Sequence, residues 1–178
     1  MVFNFIILFL LGAGAFFDVR EHRIPNWWVL FGVLNGGFLQ ILKAGTGTAG
    51  FSLLEPLFMF LLRMFVVTAA LFFLFLFRMI GAGDIKMAAL ICGYLGFSAG
   101  AWAIGAGFLI GAFWSLIKMA GGHRFRYRFS CLHTYIRYVI QTGKITAYYR
   151  PERDGYKDVI PLGLCLFLGT FITVVILR

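Results

Sequence analysis

Long apolar runs, not amphipathic stripes, make up most of this chain, and they constrain its fold more than any other feature. A helix needs about 20 apolar residues to cross the hydrocarbon of a bilayer, and fewer where the bilayer thins or the ends snorkel. Runs near 2–17, 27–42, 58–77, 86–98, 100–117 and 159–177 fit that description. Only 13% of the 178 residues are charged and 61% are hydrophobic, whereas a soluble domain keeps roughly a quarter of its residues charged. The expected fold is therefore all-α: a polytopic integral membrane protein of about six transmembrane helices, forming one transmembrane domain over 1–178. The first run starts at Val2 without a basic flank and reaches Asp18 without an obvious small-residue cleavage site, so it is expected to be a retained span.

Charge placement orients these spans and decides how many there are. The fourth and fifth runs form a nearly continuous apolar stretch that two short helices or one long helix would satisfy. With six spans and an outside N-terminus, one side receives Arg20, Arg23, Arg78, Lys86, Lys118 and the 120–158 segment, thirteen Lys/Arg in all. The other side holds Lys43 and Arg178, and Arg63 lies inside a span. The positive-inside rule makes the thirteen-residue side cytoplasmic. Fusing the two runs would send nine of those residues outside, so six spans are expected.

The net charge of +9 does not point to nucleic acid, because nine of the sixteen Lys/Arg fall between Lys118 and Lys157, beside membrane spans. Basic residues there meet anionic headgroups, which makes membrane lipids the expected partner. Within that segment Arg124-Phe125-Arg126-Tyr127-Arg128-Phe129 alternates Arg with aromatics, as an interfacial strip would. Cys92, Cys131 and Cys165 are single and far apart, which supports neither a disulfide framework nor a zinc site. His22, His123 and His133 lack ligand spacing. No metal or cofactor is expected.

Seven acidic residues occur in the chain, and ionisable groups in or beside spans are costly enough to count as functional candidates. Asp18 ends the first span and Asp84 opens the fourth, so the topology sets both at the cytoplasmic membrane boundary. That agreement is independent of the charge count, which used Lys and Arg alone. Two carboxylates at one depth can share a proton, since like-charge repulsion and desolvation raise one apparent pKa. One group is then a base that activates water and the other an acid that protonates a carbonyl oxygen. The glycines of Gly81-Ala82-Gly83-Asp84 leave room for a close backbone approach, where a substrate strand would lie. Asp18 leads into a polar turn, Val19-Arg20-Glu21-His22-Arg23-Ile24-Pro25-Asn26, whose proline starts the next helix. Taken singly, Asp84 has the character of a helix N-cap, and Asp18 that of a partner for Arg20 or Arg23.

Taken together, Asp18-Val19-Arg20, Arg23-Ile24-Pro25-Asn26 and Gly81-Ala82-Gly83-Asp84-Ile85-Lys86 resemble the type IV prepilin peptidases, the G-x-G-D aspartic proteases of bacterial membranes. A third, looser piece, Ile160-Pro161-Leu162-Gly163, is similar to the stretch that opens the family's last helix. The resemblance implies cleavage of prepilin or pseudopilin leader peptides at the cytoplasmic face of the bacterial inner membrane. By motif match, Asp18 and Asp84 would be the catalytic aspartates. Gly81, Gly83, Arg23, Pro25, Asn26, Lys86 and Pro161 would position backbone or substrate. Larger members carry a cytoplasmic region with paired cysteines, associated with N-methylation. This chain has eight residues between Asp18 and Trp27 and no C-x-x-C, so a peptidase-only form is expected.

Three other readings compete. A preflagellin-type or other G-x-G-D protease shares the same chemistry, though the Arg-Ile-Pro-Asn turn favours the prepilin type. A small ion or proton transporter would use the two Asp as ligands or a relay, but that calls for polar residues near the bilayer midplane, where Arg63 stands by itself. A non-enzymatic assembly protein would tolerate Asp→Asn at both positions. Lys86 is two residues from Asp84, so on a helix the side chains diverge and Lys86 would snorkel to headgroups. Arg63 would snorkel outward or pair with Glu55, about two turns earlier. Neither the pilin substrate nor the oligomeric state is readable from the sequence.

Overall fold

The computed structural model describes residues 2–21, 24–45, 54–77, 80–120, 137, 141 and 160–176. Among them the chain forms six helices and no strands: α1 (Val2–Glu21), α2 (Asn26–Gly45), α3 (Leu54–Leu76), α4 (Ala82–Leu95), α5 (Phe97–Ala120) and α6 (Leu162–Ile176). His22, Arg23, Cys131 and the basic 120–158 segment, apart from residues 120, 137 and 141, lie outside the described residues. The chain divides into two compact units, Met1–Ile110 with Pro161–Arg178, and Gly111–Ile160. The core packing and the site described below belong to the first, and α5 runs on into the second from Gly111.

Two helices, Leu54–Leu76 and the Phe97–Lys118 part of α5, are long and apolar enough to cross a membrane. Their apolar windows are only 11% and 22% buried, so they are not the core helices of a water-soluble protein. The outer surface agrees, with Phe9, Phe65, Trp102 and Leu109 each at least 70% exposed. A continuous apolar exterior of this kind is tolerated where lipid is the solvent.

The centre belongs to α4. Ile85 and every residue from Met87 to Gly93 are buried, and a helix buried all round needs no polar stripe. Met87, Leu90 and Ile91 pack with Ile7, Leu10, Leu11 and Ala15 of α1, Trp28 of α2, Ala103 of α5 and Leu166 of α6. Missing side chains let the helices approach. A Cβ on Gly36 of α2 or Gly93 of α4 would meet the Phe60 ring of α3 at 2.5 and 2.8 Å. A Cβ on Gly169 of α6 would stand 2.4 Å from the backbone nitrogen of Gly107 in α5. Small residues at such crossings bring apolar helices within van der Waals reach, which drives association where both faces are already apolar. Among the polar groups inside, Tyr94 donates to the Gly32 carbonyl, and Thr170 and Thr173 to carbonyls one turn back, each at 2.8 Å, whereas Asn35 Oδ1 is buried with no hydrogen-bond partner.

The apolar stretch from 86 to 117 is broken at Gly96, where φ is +87°. A left-handed backbone is accessible there because glycine has no Cβ. The break separates α4 from α5 and makes them two helices, as the charge distribution anticipates. Boundaries elsewhere shift by a turn: α1 runs beyond Asp18 to Glu21, and α4 starts at Ala82 and takes Asp84 into its first turn.

Candidate active site

Asp18 and Asp84 lie at helix ends, one in the last turn of α1 and one in the first turn of α4. The N-cap of α4 is Gly81, in extended conformation with φ −73° and ψ 149°, so the N-cap role anticipated for Asp84 belongs to Gly81. Asp84 stands three residues on, at the position from which a capping-box side chain reaches back to the N-cap N–H. It does so, taking a hydrogen bond from the Gly81 backbone. A Cβ on Gly81 would lie 3.1 Å from Asp84 Oδ2.

Asp18 meets a different helix end. The backbone N–H of Gly163 donates to Asp18 Oδ2 at 2.8 Å. Pro161 precedes the first turn of α6, and its carbonyl accepts from Cys165 N. Gly163 is therefore a first-turn residue whose N–H has no partner within its own helix. Asp18 supplies that partner from α1, and the helix N-terminus favours the negative charge it brings. A Cβ on Gly163 would come within 2.8 Å of the same oxygen and 3.1 Å of Asp18 Cβ, so this approach needs glycine.

The two carboxylates feel each other. Asp84 stands before the apolar 86–98 stretch, and its carboxyl is pushed from 3.8 up to about 7, first by burial, then by the negative charge of Asp18, with the Gly81 hydrogen bond pulling it down. Asp18 is thus held by a helix-end N–H, while desolvation dominates at Asp84. The raised value leaves Asp84 partly protonated near pH 7.

The α1–α2 turn is tied to the same end of α4. Lys86 Nζ donates to Asn26 Oδ1 at 2.6 Å, so Lys86 reaches the start of α2 where snorkelling to headgroups was expected. A Cβ on Gly83 would come within 3.3 Å of Ile24, so the space beside Gly83 faces the chain's own Ile24, where a substrate strand was expected. Pro25 opens α2, its carbonyl accepting from Trp28 and Val29. Asp18, Asp84, Gly81, Gly83, Pro25, Asn26, Lys86 and Pro161 therefore gather at one end of the helical unit, while Arg23 lies outside the described residues. Sequence reasoning assigned nothing to Gly163 beyond its motif. Its signal was the Pro161-Leu162-Gly163 order, a helix start with free N–H groups and no side chain at the third position. Among the described residues no group of three or more His, Cys, Asp or Glu could hold a metal ion.

A sequence model of the type IV leader peptidase family matches residues 5–116, more than half of the chain. The match contains Asp18–Asn26 and Gly81–Lys86 and stops before Pro161–Gly163. No curated protein and no solved structure matches the chain. The family and the apolar helices together point to a membrane protein. The chain belongs to the type IV leader peptidase family, and is a leader peptidase-like protease whose substrates are, in general, of the prepilin type.

Proposed function

We propose that this protein is an aspartic endopeptidase that removes the leader peptide of type IV prepilins or pseudopilins at the cytoplasmic face of the bacterial inner membrane. The observation that carries the reading is the electrostatic coupling of Asp18 and Asp84 at one end of the helical unit, in unlike surroundings. In this reading Asp18 is the base. It takes a proton from a water whose oxygen attacks the scissile carbonyl carbon, while Asp84 gives its proton to the carbonyl oxygen. When the tetrahedral intermediate collapses, the C–N bond breaks, the proton on Asp18 passes to the leaving amine and Asp84 recovers its own. The Gly163 N–H holds Asp18 in place throughout.

The six helices cross the membrane with the N-terminus outside, which puts both aspartates at the cytoplasmic boundary. A prepilin there lays its long apolar helix in lipid and presents the leader junction at that depth. Arg23, Pro25, Asn26, Lys86, Gly81, Gly83 and Pro161 shape the ground around the carboxylates. The Arg23-Ile24-Pro25-Asn26 turn supports the prepilin type over the preflagellin type. A transporter is disfavoured because the acids stand at a helix-end boundary and not at the midplane. The test is co-expression with a candidate prepilin, scored by the mobility shift on processing. Asp18→Asn and Asp84→Asn must each abolish cleavage while the protein stays folded in the membrane, and cleavage by either variant rejects the dyad.

A further inference from the structure

Arg63 is a cation inside the most apolar of the long helices, and its surroundings identify what it meets. It is half-buried on α3, nine residues into the helix, and makes no hydrogen bond or ion pair with Glu55 or any other described residue. Its Nη1 lies 4.0 Å from where a Cβ on Gly96 would stand. The guanidinium is therefore beside the turn between α4 and α5.

The depth of that turn follows from helix length. The 14 residues of α4 rise about 21 Å, whereas the hydrocarbon core is about 30 Å thick. From the Asp84 boundary the 12 residues to Leu95 rise about 18 Å, so α4 ends roughly 12 Å short of the opposite interface. Arg63 is thirteen residues from the Leu76 end of α3, again about 20 Å along the axis. The packing agrees, because a Cβ on Gly93 would meet Phe60 and Met64, the residues flanking this level of α3.

Two polar features thus share one depth below the outer interface. One is a guanidinium without a described partner, and the other is a backbone turn at positive φ, where a helix end leaves carbonyls unmatched. Hydrocarbon tolerates neither, and non-helical backbone survives at membrane depth only beside protein or water. Helical side chains lean toward the helix N-terminus, which for α3 is the outer side, so Arg63 reaches toward the outer headgroups. Its side chain covers part of the distance, and thinning of the bilayer over the short α4–α5 hairpin covers the rest.

We propose that Arg63, beside the Leu95–Gly96–Phe97 turn, binds the phosphate of an outer-leaflet phospholipid drawn down over this hairpin. The planar guanidinium suits a bidentate pair with two phosphate oxygens, and headgroup water would reach the turn carbonyls. The inference rests on the span assignment proposed above and not on the aspartate chemistry, so prepilin cleavage and lipid binding can fail independently.

Two measurements test it on the full-length protein. With Cys92, Cys131 and Cys165 replaced by Ala, a spin label at Ser98→Cys, an exposed position just past the turn, is reconstituted in phosphatidylglycerol bilayers. The label is expected to collide with a water-soluble nickel chelate as a headgroup-level site does. Collision with oxygen alone, as at mid-bilayer, overturns the proposal. An impermeant thiol reagent must also reach Ser98→Cys from the face opposite Arg20, and labelling from the Arg20 face overturns both the span assignment and the lipid site. Melting is then compared in phosphatidylglycerol and in digalactosyl diglyceride, which lacks phosphate. The wild type is expected to melt at least about 3 °C lower in the galactolipid, and Arg63→Gln to lose most of that difference. A wild type indifferent to phosphate, or an Arg63→Gln variant as sensitive as the wild type, overturns the phosphate assignment and leaves water as the partner. Should Arg63→Gln fail to fold, Arg63→Lys serves instead, with the lipid-dependent shift reduced but not lost.

Discussion

Gly163 and Asp18 are 145 positions apart, and the backbone N–H of the first donates to the carboxylate of the second at 2.8 Å. The contact fixes one carboxylate by a helix end, so its loss should cost geometry before charge. Gly163→Ala places a Cβ 2.8 Å from Asp18 Oδ2 and must displace the side chain. A shift of that kind is expected to slow prepilin cleavage about a hundredfold and to destabilise the protein by about 1–3 kcal/mol. Single-turnover cleavage by the purified variant, with thermal melting alongside, measures both, and an unimpaired cleavage rate would show that the contact does not position Asp18 for the reaction.

The pH profile follows from Asp84. Its folded pKa, about 7, is above its ordinary value of 3.8, so between these values the folded protein keeps a proton that the unfolded chain has lost. The stability from this group is complete below pH 3.8 and is lost as pH rises through about 7. Wild-type melting temperature, taken relative to Asp84→Asn, should therefore fall between pH 4 and pH 7 and level off above. In the proposed mechanism cleavage needs the protonated form, so kcat/KM should decline on an alkaline limb centred near pH 7. Activity that keeps rising through that limb rules out Asp84 as the acid.

Lys86 and Asn26 join the start of α4 to the start of α2 at 2.6 Å, in an exposed position where the net gain of a hydrogen bond is modest. A double-mutant cycle with Lys86→Met and Asn26→Ala should return a coupling of about 0.5–1.5 kcal/mol. Additive single effects would show that the contact contributes nothing.

The α5–α6 crossing depends on a missing side chain. Gly169→Ala drives a Cβ to 2.4 Å from Gly107 N and 2.5 Å from the Ala103 carbonyl, backbone atoms that no rotamer change can move. It should cost about 1–3 kcal/mol, read as a lowered melting temperature in bilayers. Gly105→Ala is the control, since nothing lies within 4 Å of its Cβ position. There the better helix propensity of alanine should leave stability unchanged or raise it by up to about 1 kcal/mol.

What the chain determined by itself was a set of local properties. Apolar runs set the helices, because length and hydropathy act within one segment. Charge placement called for a break between the fourth and fifth runs, and the structure puts it at Gly96. Asp18 and Asp84 stood out because a carboxylate beside an apolar run is costly wherever the run packs. What only the tertiary structure decided was lateral: Gly163 against Asp18, Lys86 against Asn26, Ile24 against Gly83, and Arg63 beside Gly96 instead of Glu55. In water an amphipathic stripe tells which face of a helix packs inward. These helices are apolar on nearly every face, so their sequences carry no such mark, and their neighbours are chosen by close fit at glycines and by a few polar contacts that become visible once the helices are side by side.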